Sequence, residues 1–318
     1  VIDDLIRRQD WEGALAEIDK ALANRPDARG LYAQRLGVLE RLGRPEAIEA
    51  QYDEMLGRFP DDLRNITASA VRWYLSEGRA EDAESFLRDR LDSAGAGDDM
   101  RMALVRFLAG QRGAETALAE LDRIIAAGPE DPARFRSTRA RIRFETGARA
   151  EAISETRAVL EDAEPSDATD RIRVALARML ERTGDRVGAR AQVETVLEND
   201  PAQVGALKLR AGWRIENDRP GDALVDLNSA LDQAPRDAGI PTLMARAHAR
   251  AGNRELQGEM LSRAVEISGN APAEALRYGE FLSGQDNLLS AESVLLDALR
   301  QQPGNIDLLG ALGNVYVG

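Results

Sequence analysis

Residues 189–201 read ARAQVETVLENDP, and residues 223–235 read ALVDLNSALDQAP. Laid over one another, Ala189, Val193, Val196 and Pro201 fall on Ala223, Leu227, Ala230 and Pro235. The offsets of 4 and 7 put three small or apolar groups on one stripe of a helix. The proline marks where that helix has ended, because it cannot continue the hydrogen-bond ladder. The same frame holds Ala14, Ile18, Ala21 and Pro26, then Ala117, Leu121, Ile124 and Pro129, then Ala291, Leu295, Ala298 and Pro303. Ala152, Thr156 and Val159 fit with Pro165 one place late, and Ala83 and Leu87 fit until Arg90 breaks the stripe.

Prolines 26 and 60 are 34 residues apart, as are prolines 201 and 235. Gly78, Gly147 and Gly184 stand five residues before the key alanine, and Gly252 before Gln257, where glycine supplies the left-handed conformation that ends a preceding helix. After the prolines, Asp27, Asp61, Asp62, Asp131 and Asn305 are candidate N-caps of the next helix. The unit is therefore a helix–turn–helix of about 34 residues. Around Pro45 the turn is one residue short, so either Ala47 or Ile48 takes the key position. Low aromatic content (4 %) with abundant Ala, Leu, Glu and Arg predicts an all-α chain with an aliphatic core.

This pattern resembles the tetratricopeptide repeat family, whose first helix carries an aromatic, Leu-Gly and Tyr and whose second carries Ala, an aromatic, Ala and Pro. Leu312-Gly313 with Tyr316 matches the first-helix motif best, and Gly279 and Leu282 match in the repeat before. Elsewhere Ala140, Ala177, Ala211 and Ala245 hold the glycine position with a residue that is still small. The resemblance implies a right-handed α-α superhelix of about nine repeats, with a concave groove lined by first helices. We expect residues 1–318 to form a single solenoid: repeat 1 truncated at its start, repeats 2–9 complete, and 305–318 the first helix of a tenth. Val1 falls partway along a helix, which reads as a fragment of a longer protein. The apolar stripe Leu308, Leu309, Leu312, Val315 and Tyr316 is expected either to continue into missing sequence or to pair with another molecule.

The net charge of −13 argues against a general nucleic-acid binder, which needs a broad basic face. With no cysteine there is no disulfide or thiolate metal site. No apolar run approaches the roughly 20 residues of a membrane span. His248 has no second His or Cys to complete a metal site and reads as a packing or surface residue. The motifs of a nucleophile elbow, a zinc protease and a phosphate loop are missing. Gly95-Ala96-Gly97 is followed by Asp98 and Asp99, whose charge would repel a phosphate, so it reads as a linker. We expect no enzyme activity, no cofactor and no metal. Trp73, Phe107 and Trp213 share one first-helix position and are expected to pack between repeats, with Trp11 packing near a turn.

Numbering each repeat so that its key residue is position 20, position 9 of units 3 to 9 holds Arg72, Arg106, Arg141, Arg178, Gly212, Arg246 and Glu280. The family resemblance implies that groove side chains come mostly from positions 2, 5, 9, 12 and 13. Those positions add Arg134, Arg171, Arg182, Lys208 and Arg250, against Asp99, Glu145, Glu181 and Glu216. Like charges at one-repeat spacing repel, and helix packing does not require them. Arg offers a planar fork suited to carboxylates. Two readings stand: a groove for an extended anionic partner, or intramolecular ion pairs, which contribute little when exposed.

The function expected is a non-catalytic scaffold binding a protein, a peptide or an acidic polymer in its groove. The repeats are also loosely similar to those of bacterial periplasmic, often lipid-anchored scaffolds of export or exopolysaccharide systems. That similarity implies a periplasmic or outer-membrane-anchored location, with a cytoplasmic one as the alternative. Three repeats and a Lys/Asn-rich clamp, usual in co-chaperones of the family, are not seen here. The alternative function is the regulatory or assembly arm of a larger enzyme or export complex, and self-association through the C-terminal helix is a third reading.

Overall fold

The computed structural model describes residues 1–91, 97–161 and 163–317. Among these every regular element is helical, as expected of an all-α chain. The chain divides into two compact units, 1–146 and 147–318. The first carries α1 (Ile2–Arg7), α2 (Trp11–Asn24), α3 (Arg29–Leu42), α4 (Pro45–Arg58), α5 (Leu63–Ser76), α6 (Ala80–Leu91), α7 (Asp98–Gln111), α8 (Ala114–Ala126) and α9 (Pro132–Glu145). The second begins with α10 (Arg149–Glu161), α11 (Asp167–Arg182), α12 (Arg186–Asn199), α13 (Val204–Glu216) and α14 (Pro220–Gln233). It ends with α15 (Gly239–Arg250), α16 (Arg254–Ser268), α17 (Pro272–Ser283), α18 (Leu288–Gln301) and α19 (Ile306–Val317).

Within a unit each helix packs on the next, and first helices of successive repeats also touch: α5 with α7, α11 with α13, α13 with α15, and α17 with α19. That ladder is what the sequence stripes demand, because one hairpin cannot bury its apolar face alone. The key residues Ala14, Ala83, Ala117, Ala152, Ala189, Ala223 and Ala291 are all fully buried. Leu87, Leu121, Val193, Leu227 and Leu295, four positions on, are buried beside them, each stabilising the fold by about 1.5–3 kcal/mol. In the second repeat Ile48 is buried and Ala47 only partly so, which settles the key position there as Ile48.

The turn five residues before the key residue is left-handed in nearly every repeat. Glycine fills it at Gly43, Gly78, Gly147, Gly184 and Gly252, while Gln9, Asp218 and Asp286 adopt the same positive φ without being glycine. Of the candidate caps, Asp131 accepts from the Arg134 amide and Asn305 from that of Leu308. The other three differ from expectation: Asp62 precedes α5 without a side-chain cap bond, Asp61 pairs with Arg29, and Asp27 lies near Arg58. Asp185, which follows no proline, caps α12, and Ser166, directly after Pro165, caps α11.

Arg90, which breaks the apolar stripe of α6, is accommodated by tertiary contacts. Its guanidinium lies 3.7 Å from the Phe86 ring centroid, donates to the Phe86 carbonyl and pairs with Asp53. Trp73 and Phe107 are buried between helices as expected. Trp213 is partly buried with Nε1 donating to Glu181, and Trp11 lies under Arg41.

The two first-helix glycines of the last repeats sit in opposite surroundings. A Cβ on Gly279 would stand 2.9 Å from the Leu295 side chain, which is itself fully buried. A Cβ on Gly313 would meet nothing within 4 Å. Both substitutions to Ala gain helix propensity, but only the first overpacks a core. Gly279→Ala is therefore expected to be less stable than Gly313→Ala by about 1–3 kcal/mol in paired chemical denaturations.

Candidate functional site

Two columns of arginine run along the first helices, two residues apart, and their surroundings differ. Arg35, Arg139 and Arg210 occupy position 7. Each reaches an acid at position 25 of the preceding repeat: Arg35 pairs with Asp19, Arg139 with Asp122, and Arg210 with Glu194 at 3.4 Å. Arg35 also donates to Gln51 at 2.7 Å and Arg210 to Asp226 at 2.8 Å, both at position 23 of their own second helix. Asp226 is buried and takes Arg214 as well, at 2.7 Å. The hydrogen bond to Asp226 raises the Arg210 pKa above its ordinary value. Position 7 is thus a clamp between neighbouring helices.

Position 9 is different. Arg72, Arg106, Arg141, Arg178 and Arg246 are all exposed, and none has an ion pair among the described residues. A step of two residues on a helix turns the side chain by roughly 200°, which takes it from the second helix to the open face. The intramolecular reading concerns the groove arginines; at position 9 no ion pair stands behind it among the described residues. Of the other predicted groove residues, Arg134 pairs with Asp99 at 2.7 Å, Arg250 with Asp218 at 2.8 Å and Lys208 with Asp237 at 2.7 Å. Arg182 is engaged within the chain, and Arg171 is exposed without an ion pair among the described residues.

The cations come closest together in the first unit. Between α7 and α9 lies a recess of about 410 Å³, floored by Met102, Val105, Ala109 and Ile142. Arg106, Arg134 and Arg141 rim it, and no carboxylate lines it. Asp99 stands just outside, with Arg64 at 3.7 Å on its other side. The hydrogen bond from Arg134, then the charges of Arg134, Arg64 and Arg106, hold the Asp99 carboxyl below the usual range. Partial desolvation, then repulsion by Arg134 and Arg64, lowers the Arg106 pKa. One carboxylate among four guanidiniums leaves a cationic, apolar-floored recess in a chain of net charge −13. Arg64 was not among the groove positions read from sequence. Its signal was its place one repeat before Asp98 and Asp99, at the mouth of α5.

His248 is buried on α15 with Nδ1 unpartnered, a packing residue rather than a surface one. Of the glycine-rich stretch read as a linker, Gly95 and Ala96 lie outside the described residues. Among the described residues no cluster of His, Cys, Asp or Glu has the makings of a metal site, and no helix is long and apolar enough to cross a membrane.

No protein-family model and no curated protein sequence matches this chain. Solved structures do. A tetratricopeptide repeat protein from Parabacteroides merdae is similar over 80% of this chain and 98% of its own, at 14% identity and a TM-score of 0.55. A chain of the APC/C hetero-tetramer Cut9-Hcn1 aligns over 99% of this chain at 13% identity and a TM-score of 0.56, and this chain spans 60% of it. Human IFIT1, solved as a dimer with m7Gppp-AAAA, aligns over 99% of this chain and 84% of its own, at 15% identity and a TM-score of 0.51. At these identities the likeness is one of fold, and the fold is that of tetratricopeptide repeat proteins.

Proposed function

We propose that this chain is an interaction scaffold that holds an extended acidic peptide segment of a partner protein against its first-helix face. The observation carrying this reading is the contrast between the columns: arginine at position 7 is consumed by ion pairs, whereas arginine at position 9 is exposed and has no ion pair among the described residues. Within the first unit Arg72, Arg106 and Arg141 stand on the successive first helices α5, α7 and α9 and offer a series of forks for carboxylates spaced along a chain. The recess between α7 and α9 adds apolar surface beneath two of those charges, Arg106 and Arg141. Attraction of this kind sets approach rate and selectivity more than final affinity, and salt weakens it.

The test uses a fluorescein-labelled peptide of alternating Glu and Gly, its Lys-Gly counterpart, and an oligoadenylate of equal charge. The acidic peptide is expected to bind while the basic one does not, and its Kd to rise roughly tenfold between about 0.05 and 0.5 M salt. Binding indifferent to salt or to the sign of charge contradicts the reading. Tighter capture of the oligoadenylate would reassign the face to nucleic acid.

A further inference from the structure

Where guanidiniums converge elsewhere in this chain, a buried carboxylate answers them. Arg210 and Arg214 share Asp226, and Arg88 and Arg123 share Glu120. The recess between α7 and α9 departs from that habit. Arg134 and Arg141, seven residues apart, stand about two turns apart on one side of α9, and Arg106 joins them on the rim from α7. No acid lines the space between them. Asp99 stands just outside and takes one donor of Arg134, Nη2, at 2.7 Å, out of the five a guanidinium carries. Arg106 and Arg141 have no ion pair among the described residues.

The unmet demand is specific in kind. Three guanidiniums bring three charges and three two-pronged forks to one recess of about 410 Å³. A side-chain carboxylate brings one charge, and a single fork occupies both its oxygens. A second carboxylate in the same space would repel the first. A phosphate monoester instead concentrates a charge of about −1.5 to −2 and three strong acceptor oxygens at one point. The floor of Met102, Val105, Ala109 and Ile142 keeps water from one side of these contacts, which strengthens them.

We infer that the recess between α7 and α9 receives one phosphorylated side chain within the acidic segment proposed above. That inference rests on the acidic-peptide reading and sharpens it. Arg106, Arg134 and Arg141 take the phosphate oxygens, while Arg72, on α5 and off the recess, meets a flanking carboxylate.

The experiment places Gly, Glu, Glu-Glu or phosphoserine at the centre of the labelled Glu-Gly peptide and reads fluorescence anisotropy at about pH 7.5, where the phosphate is a dianion. The Glu-Glu peptide matches the phosphoserine peptide in charge. The phosphoserine peptide is expected to bind about 5- to 30-fold tighter than the Glu or Glu-Glu peptide, as one or two further charge-assisted contacts imply. Arg106→Ala/Arg141→Ala should erase that preference at an unchanged melting temperature, since both side chains are exposed. Arg72→Ala should weaken all four peptides alike, by about two- to fivefold, and keep the preference. Free O-phosphoserine, lacking the flanking carboxylates, should compete about tenfold more weakly than the phosphopeptide. A phosphoserine peptide that binds no tighter than the Glu-Glu peptide overturns the inference while sparing the acidic-groove reading. So does a preference that survives the loss of Arg106 and Arg141, or a melting temperature that falls in that variant, since the charges are then met within the fold. Equal competition by free O-phosphoserine overturns it in favour of a small phosphate ester. If no acidic peptide binds at all, the acidic-groove reading itself fails, and the inference with it.

Discussion

Asp226→Ala is expected to lower the unfolding free energy by about 2–4 kcal/mol, with a smaller loss of about 1–2 kcal/mol for Asp226→Asn. Asp226 is 3% exposed and accepts from Arg210 at 2.8 Å and Arg214 at 2.7 Å, which are themselves mostly covered. Deleting the carboxylate leaves two partly desolvated guanidiniums facing a cavity, and that is where most of the cost arises. Two contacts temper it. Arg210 keeps Glu194 at 3.4 Å, and Arg214 keeps the Asp222 carbonyl at 2.9 Å. Asparagine retains one acceptor oxygen in nearly the same volume. Urea denaturation of the three proteins checks the order. A loss under about 0.5 kcal/mol for the alanine variant would show that the position 7 clamp contributes no more than an ordinary surface pair.

The variant Arg72→Ala/Arg106→Ala/Arg141→Ala is expected to do the reverse. All three side chains are exposed and without ion pairs among the described residues, so their removal deletes no native contact of consequence. Stability should change by no more than about 0.5 kcal/mol per site. At Arg106 the change even relieves repulsion from Arg134 and Arg64. Affinity for the Glu-Gly peptide should fall roughly 5- to 150-fold, since each exposed guanidinium–carboxylate contact is worth about 0.3–1 kcal/mol and three are lost together.

Much of the fold was legible because the repeat states its core many times over. Ala189 alone says little, but Ala14, Ala117, Ala223 and Ala291 in the same frame require a buried small residue where two helices meet, and each is fully buried. Ile48 was ambiguous because Ala47 beside it is also apolar, and only tertiary packing distinguishes two adjacent apolar residues. Arg90 read as a break in the stripe, since its remedy lies in Phe86 and in Asp53 on a different helix.

The site was legible in outline and not in detail. The position 9 column could be read from the sequence, but not whether its arginines were already paired. The acids that answer an arginine sit on other helices, and for position 7 they are Asp19, Asp122 and Glu194, one repeat back. Arg134 and Arg250 lay in groove positions and turned out to hold intramolecular partners.

The most direct test of the central claim is one titration: the Glu-Gly peptide against the wild type and the Arg72/Arg106/Arg141 triple alanine variant at low salt, with thermal melts of the same samples. The account predicts affinity reduced roughly 5- to 150-fold at an unchanged melting temperature. Equal affinity for the two proteins would contradict it by taking the acidic ligand off the position 9 column. A collapsed melting temperature would contradict it too, by making those arginines part of the fold.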